Sequence, residues 1–386
     1  MLDNLDMVGV KLLATYQKTR KVNCEELLDK VKSTTGAWKA GKFMPLTSRP
    51  HSVNTYCLSK ILFRCSSINL RVCDLTKISS YIKGWMYADQ LEKPEELVLF
   101  RPRKHGGLGL VNMQYKAESL LIRNFMETAQ NPKFQSNIYH EALYLWHVDH
   151  KRDLTCPPPS PYYDSNFFDS IRRVKDEGLL NIKTMTAGMW YRWLMEDNIT
   201  HQLTPSGTVP RECKIEVKHP QPDWDSAWSL AITPGLSSKQ LTFLWKMVHD
   251  LLPSQARLFR LKMPNANSEI CSLCNLNMVG NLTHSLLLCP YNNGAGQFLL
   301  DILKQHIPNI LPQKVVLLDL GLAVGDDLKL PLMFLIASIL SDIWESRKDK
   351  KPCHLNTIRA ALEAGINILR KSRHSKAASS LDRILT

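Results

Sequence analysis

Cys271-Ser272-Leu273-Cys274 is followed by His284 and then Cys289, a C-x2-C-x9-H-x4-C pattern. No other feature constrains the fold as strongly. Zinc prefers four soft or borderline donors in a tetrahedron, and three thiolates with one imidazole supply them. A two-residue gap lets Cys271 and Cys274 turn onto one ion. His284 and Cys289, separated by four residues, converge from the other side across about one helical turn. The intervening segment from Asn275 to Asn281 is rich in turn formers and can fold back. All four positions are protein ligands, so no coordination site stays open for a catalytic water. The pattern therefore predicts one structural zinc in a knuckle spanning 268–292.

The rest of the chain reads as helical. Leu241, Leu244, Trp245, Val248 and Leu252 fall on one helical face, behind a capping box of Ser237 and Gln240 and ahead of a terminator at Pro253. Ile358, Leu362, Ile366 and Leu369 repeat at about four residues, with Arg370, Lys371 and Arg373 complementing the end of that helix. Ala117 to Ala129 is a further helix. The apolar run Leu330 to Leu340 contains Pro331, is too short to span a bilayer, and reads as a buried helix. Cys213 to Lys218 alternates in a way that suits a short strand. Trp190, Trp193, Trp224, Trp228 and Trp245 sit at core-compatible spacings, and the seven cysteines outside the cluster read as buried thiols. The breaker Pro157-Pro158-Pro159-Ser160-Pro161 marks a boundary.

Charge is unevenly distributed. The chain carries 49 Lys and Arg against 36 Asp and Glu, a net charge of +13. Residues 1–150 hold 21 basic and 14 acidic groups, residues 151–250 hold 12 of each, and residues 251–386 hold 16 and 10. Two basic regions flank a neutral middle, which favours a polyanionic partner. The acidic opening Met1-Leu2-Asp3-Asn4-Leu5-Asp6 is unlike a secretory signal. The expectation is an intracellular protein of nucleus or cytoplasm with no membrane partner.

Several blocks together carry a resemblance. Phe243-Leu244-Trp245-Lys246, Leu252-Pro253-Ser254, Arg257-Leu258 and the cluster ending in Cys289-Pro290 are similar to the zinc-binding region of non-LTR (LINE-type) retrotransposon reverse transcriptases. Leu99-Phe100-Arg101-Pro102-Arg103-Lys104-His105-Gly106-Gly107-Leu108-Gly109-Leu110 resembles the basic-then-GGLG segment downstream of the palm in that family. Asn23 to Val31, Trp38, and Arg49 to Ser59 resemble the thumb-like stretch before it. Ile343-Trp344 with Arg347 resembles the helix that follows the zinc cluster. The order matches along nearly the whole chain, but the fingers and palm are missing.

The resemblance implies a mainly α protein. A basic thumb-like helical domain would cover 1–152, a Pro-rich linker 153–163, and a helical C-terminal domain with a CCHC zinc knuckle and a few short strands 164–386. It implies nucleic-acid binding without polymerase activity. RNA or DNA would be the ligand, and the remaining reverse-transcriptase domains, if encoded upstream, would be partners. Lys39, Lys42, Arg49, Lys60 and Arg64 form a basic field where a thumb lies along duplex. Arg101, Arg103, Lys104 and His105 can contact backbone phosphates. Two alternatives stand beside this reading. Asp319 with Asp327-Leu328-Lys329 loosely resembles the acidic/Lys pattern of a restriction-like, Mg²⁺-dependent endonuclease. A domesticated structural or protein-interaction remnant would bind no nucleic acid at all.

Two further acidic segments imitate polymerase signatures. Tyr87-Ala88-Asp89-Gln90 lacks the second aspartate of a reverse-transcriptase hairpin and continues a helical pattern through Ile78, Ile82, Trp85 and Met86. Val324-Gly325-Asp326-Asp327 reads as a turn with acidic residues opening a helix.

Overall fold

The computed structural model describes residues 4–7, 10–13, 15–38, 44–66, 72–87, 94–130, 185–201, 214–320, 325–372 and 374–385, with single positions at 68, 70, 170, 173, 174, 176 and 177. The described chain is mainly helical, as its periodicities predict. We number two strands, β1 (Asn4–Met7) and β2 (Val10–Leu13), and the helices of eight or more residues. These are α1 (Tyr16–Ala37), α2 (Val72–Met86), α3 (Met113–Gln130), α4 (Ala187–His201), α5 (Trp224–Ala231), α6 (Ser238–Val248), α7 (Ala295–His306), α8 (Asp326–Lys348), α9 (Leu355–Arg370) and α10 (Ser375–Leu385). The chain forms two compact units. One comprises residues 1–44, 49–89 and 110–211, and the other 45–48, 90–109 and 212–386. The Pro-rich segment 153–163 lies outside the described residues.

In the first unit, α1 buries Cys24, Leu27 and Val31 on one face, with Asn23 and Thr35 buried beside them. It packs against α2 and the short helix Ser59–Cys65. Trp85 of α2 donates its indole N–H to the Thr35 carbonyl at 3.2 Å. The antiparallel hairpin of β1 and β2 is held by Asn23, whose side chain bonds both the N–H and the carbonyl of Lys11. Ile122, Phe125 and Met126 of α3 close a second core with Trp190 and Leu194 of α4. Met86 and Tyr87 finish the α2 segment in the buried interior, while Ala88, Asp89 and Gln90 lie outside the described residues.

The second unit is organised around α8. Leu332, Met333, Leu335, Ile336, Ala337, Ile339, Leu340 and Ile343 are all buried, which explains the long apolar run as the helix at the centre of the unit. The helix continues through Pro331. α6, α7, α9 and α10 pack against it. Gly365 of α9 admits Phe334, because a Cβ there would meet the ring at 2.3 Å. α8 begins directly after Gly325, the helix start expected for that segment.

Three local expectations are corrected. Residues Lys214–Lys218 form a short helix rather than a strand. Ile215 and Glu216 are adjacent and both buried while Val217 is exposed, a pattern that alternation cannot produce. α6 ends at Val248, well before Pro253. Asp250 takes φ 52°, and bonds from Leu251 N–H to the Lys246 carbonyl and from Asp250 N–H to the Met247 carbonyl make a Schellman closure. Finally, Cys73 is exposed, whereas Cys24, Cys57, Cys65 and Cys353 are buried as expected.

Candidate metal centre

Two pieces of irregular chain build the site within the second unit. The first is a tight ribbon. Ile270 bridges Val279, Cys271 N–H bonds the Met278 carbonyl at 2.8 Å, and Gly280 N–H bonds the Glu269 carbonyl at 2.8 Å. Asn277 turns the chain at φ 51°. Gly280 runs against the start of the Gln255–Arg260 helix, where a Cβ would meet the Gln255 Cβ at 2.8 Å. The second piece is a π-turn, His284–Leu288. The Asn281 side chain accepts from His284 N–H at 2.8 Å, and Cys289 N–H bonds the His284 carbonyl at 2.8 Å. An i→i+5 bond of this kind is why a four-residue gap works here. It brings residue 289 back over residue 284, where a regular α-turn would return residue 288.

The four donors converge. The Cys271, Cys274 and Cys289 sulfurs and an imidazole nitrogen of His284 all lie within 4.8 Å of one another. Cys271 Sγ and Cys289 Sγ are 3.9 Å apart, and Cys274 Sγ and His284 Nε2 are 3.4 Å apart. A tetrahedron with metal–sulfur bonds of about 2.3 Å and metal–nitrogen bonds of about 2.0–2.1 Å has edges of about 3.8 Å between sulfurs and about 3.5 Å between sulfur and nitrogen. The residues fit such an ion. Cys271, His284 and Cys289 are buried and Cys274 is partly exposed. Among the described residues this is the one group of His, Cys, Asp and Glu side chains that can hold a metal ion.

Burial pushes the Cys271 thiol up, but hydrogen bonds from the Leu273 backbone, Arg347 and His284 outweigh it and bring the thiol down to about 6. Burial keeps Cys289 above its ordinary value despite help from Arg347. Arg347 of α8 donates from one terminal nitrogen to Cys271 Sγ at 3.4 Å and from the other to the Asn292 side chain at 3.2 Å. Spacing along the sequence carries no signal for this contact, which closes a loop of 76 residues.

The basic residues fare differently. Arg49 is buried and bonds the Met44 and Met86 carbonyls. Arg64 is buried against Glu26 at 3.1 Å. The hydrogen bond from Lys11 holds the Glu26 carboxyl below the usual carboxylate range against the opposing effect of burial, and Arg64 adds to the lowering. Lys60 is exposed, and Lys39 and Lys42 lie outside the described residues.

The GGLG block makes a structural core in the second unit. Arg101 reaches both oxygens of buried Glu216 at 2.9 Å, and Trp228 donates to the same carboxylate at 2.9 Å. Trp245 and His249 both bond the Gly106 carbonyl, at 2.9 and 2.8 Å. Gly106, at φ 79°, lies so close to Trp228 that a Cβ would meet the ring at 2.4 Å. Trp224, Trp228, His249 and Trp245 pack ring against ring in this core, the packing role expected for these tryptophans. Arg103 and Lys104 are exposed, Arg103 donates to the Thr47 carbonyl, and His105 sits 3.4 Å from Asp225.

Asp319 pairs with Lys314 at 3.5 Å beside a cavity of about 520 Å³, Asp327 is exposed, and Lys329 bonds Ser229 at 2.8 Å. No helix among the described residues is long and apolar enough to cross a membrane. Searches with the whole chain find no match among protein-family models and none among curated proteins.

Proposed function

We propose that this chain is a nucleic-acid-binding module built around one structural zinc ion, doing the template-gripping work of the C-terminal portion of a LINE-type retrotransposon reverse transcriptase. The observation that carries the proposal is the convergence of Cys271, Cys274, His284 and Cys289 at tetrahedral spacing. Three thiolates and an imidazole select zinc over harder cations, and four protein donors leave no position for a reacting water. The ion's task is to hold ribbon and π-turn together. Binding of a structural zinc contributes about 10–16 kcal/mol of apparent free energy in comparable small sites.

The nucleic-acid half of the proposal rests on the net charge of +13, the two basic regions and the family resemblance of the sequence blocks. Unpaired or structured RNA is the preferred ligand, because zinc knuckles grip exposed bases. Filter binding of the zinc-loaded protein to a single-stranded RNA across a salt series tests it. Four or five phosphate contacts give a slope of log K against log salt of about −3. Absence of measurable binding at low salt, or affinity flat across the series, would leave a purely structural protein.

A further inference from the structure

We propose that Arg347 is the outer-sphere partner of the metal centre, neutralising its charge and tying ion occupancy to the seating of α8. The inference rests on the zinc reading above and adds a residue and a coupling to it. A divalent ion held by three thiolates and a neutral imidazole carries one net negative charge. Three of the four ligands here are buried. A buried net charge is costly unless a counter-charge with good hydrogen-bond geometry accompanies it. Arg347 supplies it, with its guanidinium 3.4 Å from Cys271 Sγ.

The planar fork does more than deliver charge. Its second arm holds buried Asn292, which donates onward to the carbonyls of Ser285 at 2.9 Å and Leu286 at 3.2 Å. Those carbonyls belong to the π-turn that presents His284. One arginine therefore touches both ligand arms, directly at Cys271 and through Asn292 on the His284 side. Lysine, a point charge, reproduces the first function but not the second. Arg347 sits on the same helix as buried Ile343, and α8 also packs against α9 and α10. By reciprocity, whatever Arg347 adds to ion affinity, the ion returns to the docking of α8. Chelation then loosens the C-terminal helices as well as the knuckle.

The test compares the full-length chain with Arg347→Met, Arg347→Lys and Lys348→Met, each titrated with zinc against a competing chelator and with cobalt to record the thiolate absorption bands. Outer-sphere partners of metal ligands are worth about 10- to 100-fold in affinity. Arg347→Met is expected to weaken zinc within that range and shift the cobalt–thiolate bands. Arg347→Lys should recover part of the affinity, and Lys348→Met should match the wild type. Wild-type affinity in a folded Arg347→Met protein overturns the proposal while leaving the zinc reading intact. Failure of the wild type itself to bind zinc overturns the zinc reading. If Arg347→Met does not fold, Arg347→Lys decides: affinity and cobalt bands equal to the wild type remove the role of the fork.

Discussion

Glu216 would look like a surface residue in any composition argument, yet it is buried and accepts from both Arg101 and Trp228. Removing one member of a buried pair strands the other, so Glu216→Ala should lower unfolding free energy by about 3 kcal/mol in urea titrations. A change under 1 kcal/mol would mean that Arg101 finds water instead. His249 gives a pH signature. Burial is the main cause, opposed by its bond to the Gly106 carbonyl, and it brings the imidazole down to about 4. Between pH 6.5 and 4 the unfolded chain takes up a proton that the folded ring refuses. Stability should therefore fall as pH falls through that window, by at most about 3 kcal/mol. His249→Gln should remove this part of the acid sensitivity, and identical pH slopes for the two proteins would contradict the assignment. Neither residue was legible in the sequence. Their partners lie 115 and 143 residues away, and only the fold makes them neighbours.

Among the elements, legibility followed local physics. α9 was readable because Ile358, Leu362, Ile366 and Leu369 mark one face, and all four are buried. Leu362→Ala should cost about 2–5 kcal/mol by thermal or urea melting, whereas an unchanged midpoint would mean α9 is not docked. The capping box of Ser237 and Gln240 is present, as its spacing predicts. Lys214–Lys218 misled for a physical reason: five residues are too few to separate a period of 2 from 3.6, and tertiary pairing of Glu216 decides the outcome. The end of α6 was equally hidden, since an aspartate at positive φ does the work normally read from a glycine. The Cys and His cluster was legible almost in full because its members are close in sequence. The π-turn that reconciles the x4 gap was not.

Net charge says nothing about which cations face outward. Arg49, Arg64, Arg101 and Arg103 bond partners within the protein, while Lys60 and Lys104 are exposed. If the exposed set carries phosphate contacts, reversing Lys60 and Lys104 to Glu should weaken RNA binding and flatten its salt slope by about one or two units, with no change in zinc content. An unchanged slope would move the binding surface elsewhere. The proposal rests on one ion joining the four Cys and His donors of the second unit, so metal content is the most direct measurement. Full-length protein purified without chelator should contain one zinc per chain by native mass spectrometry, and Cys289→Ser should lose it, with faster hydrogen exchange across 268–292. Metal-free wild-type protein that excludes added zinc and still protects that segment would contradict the account.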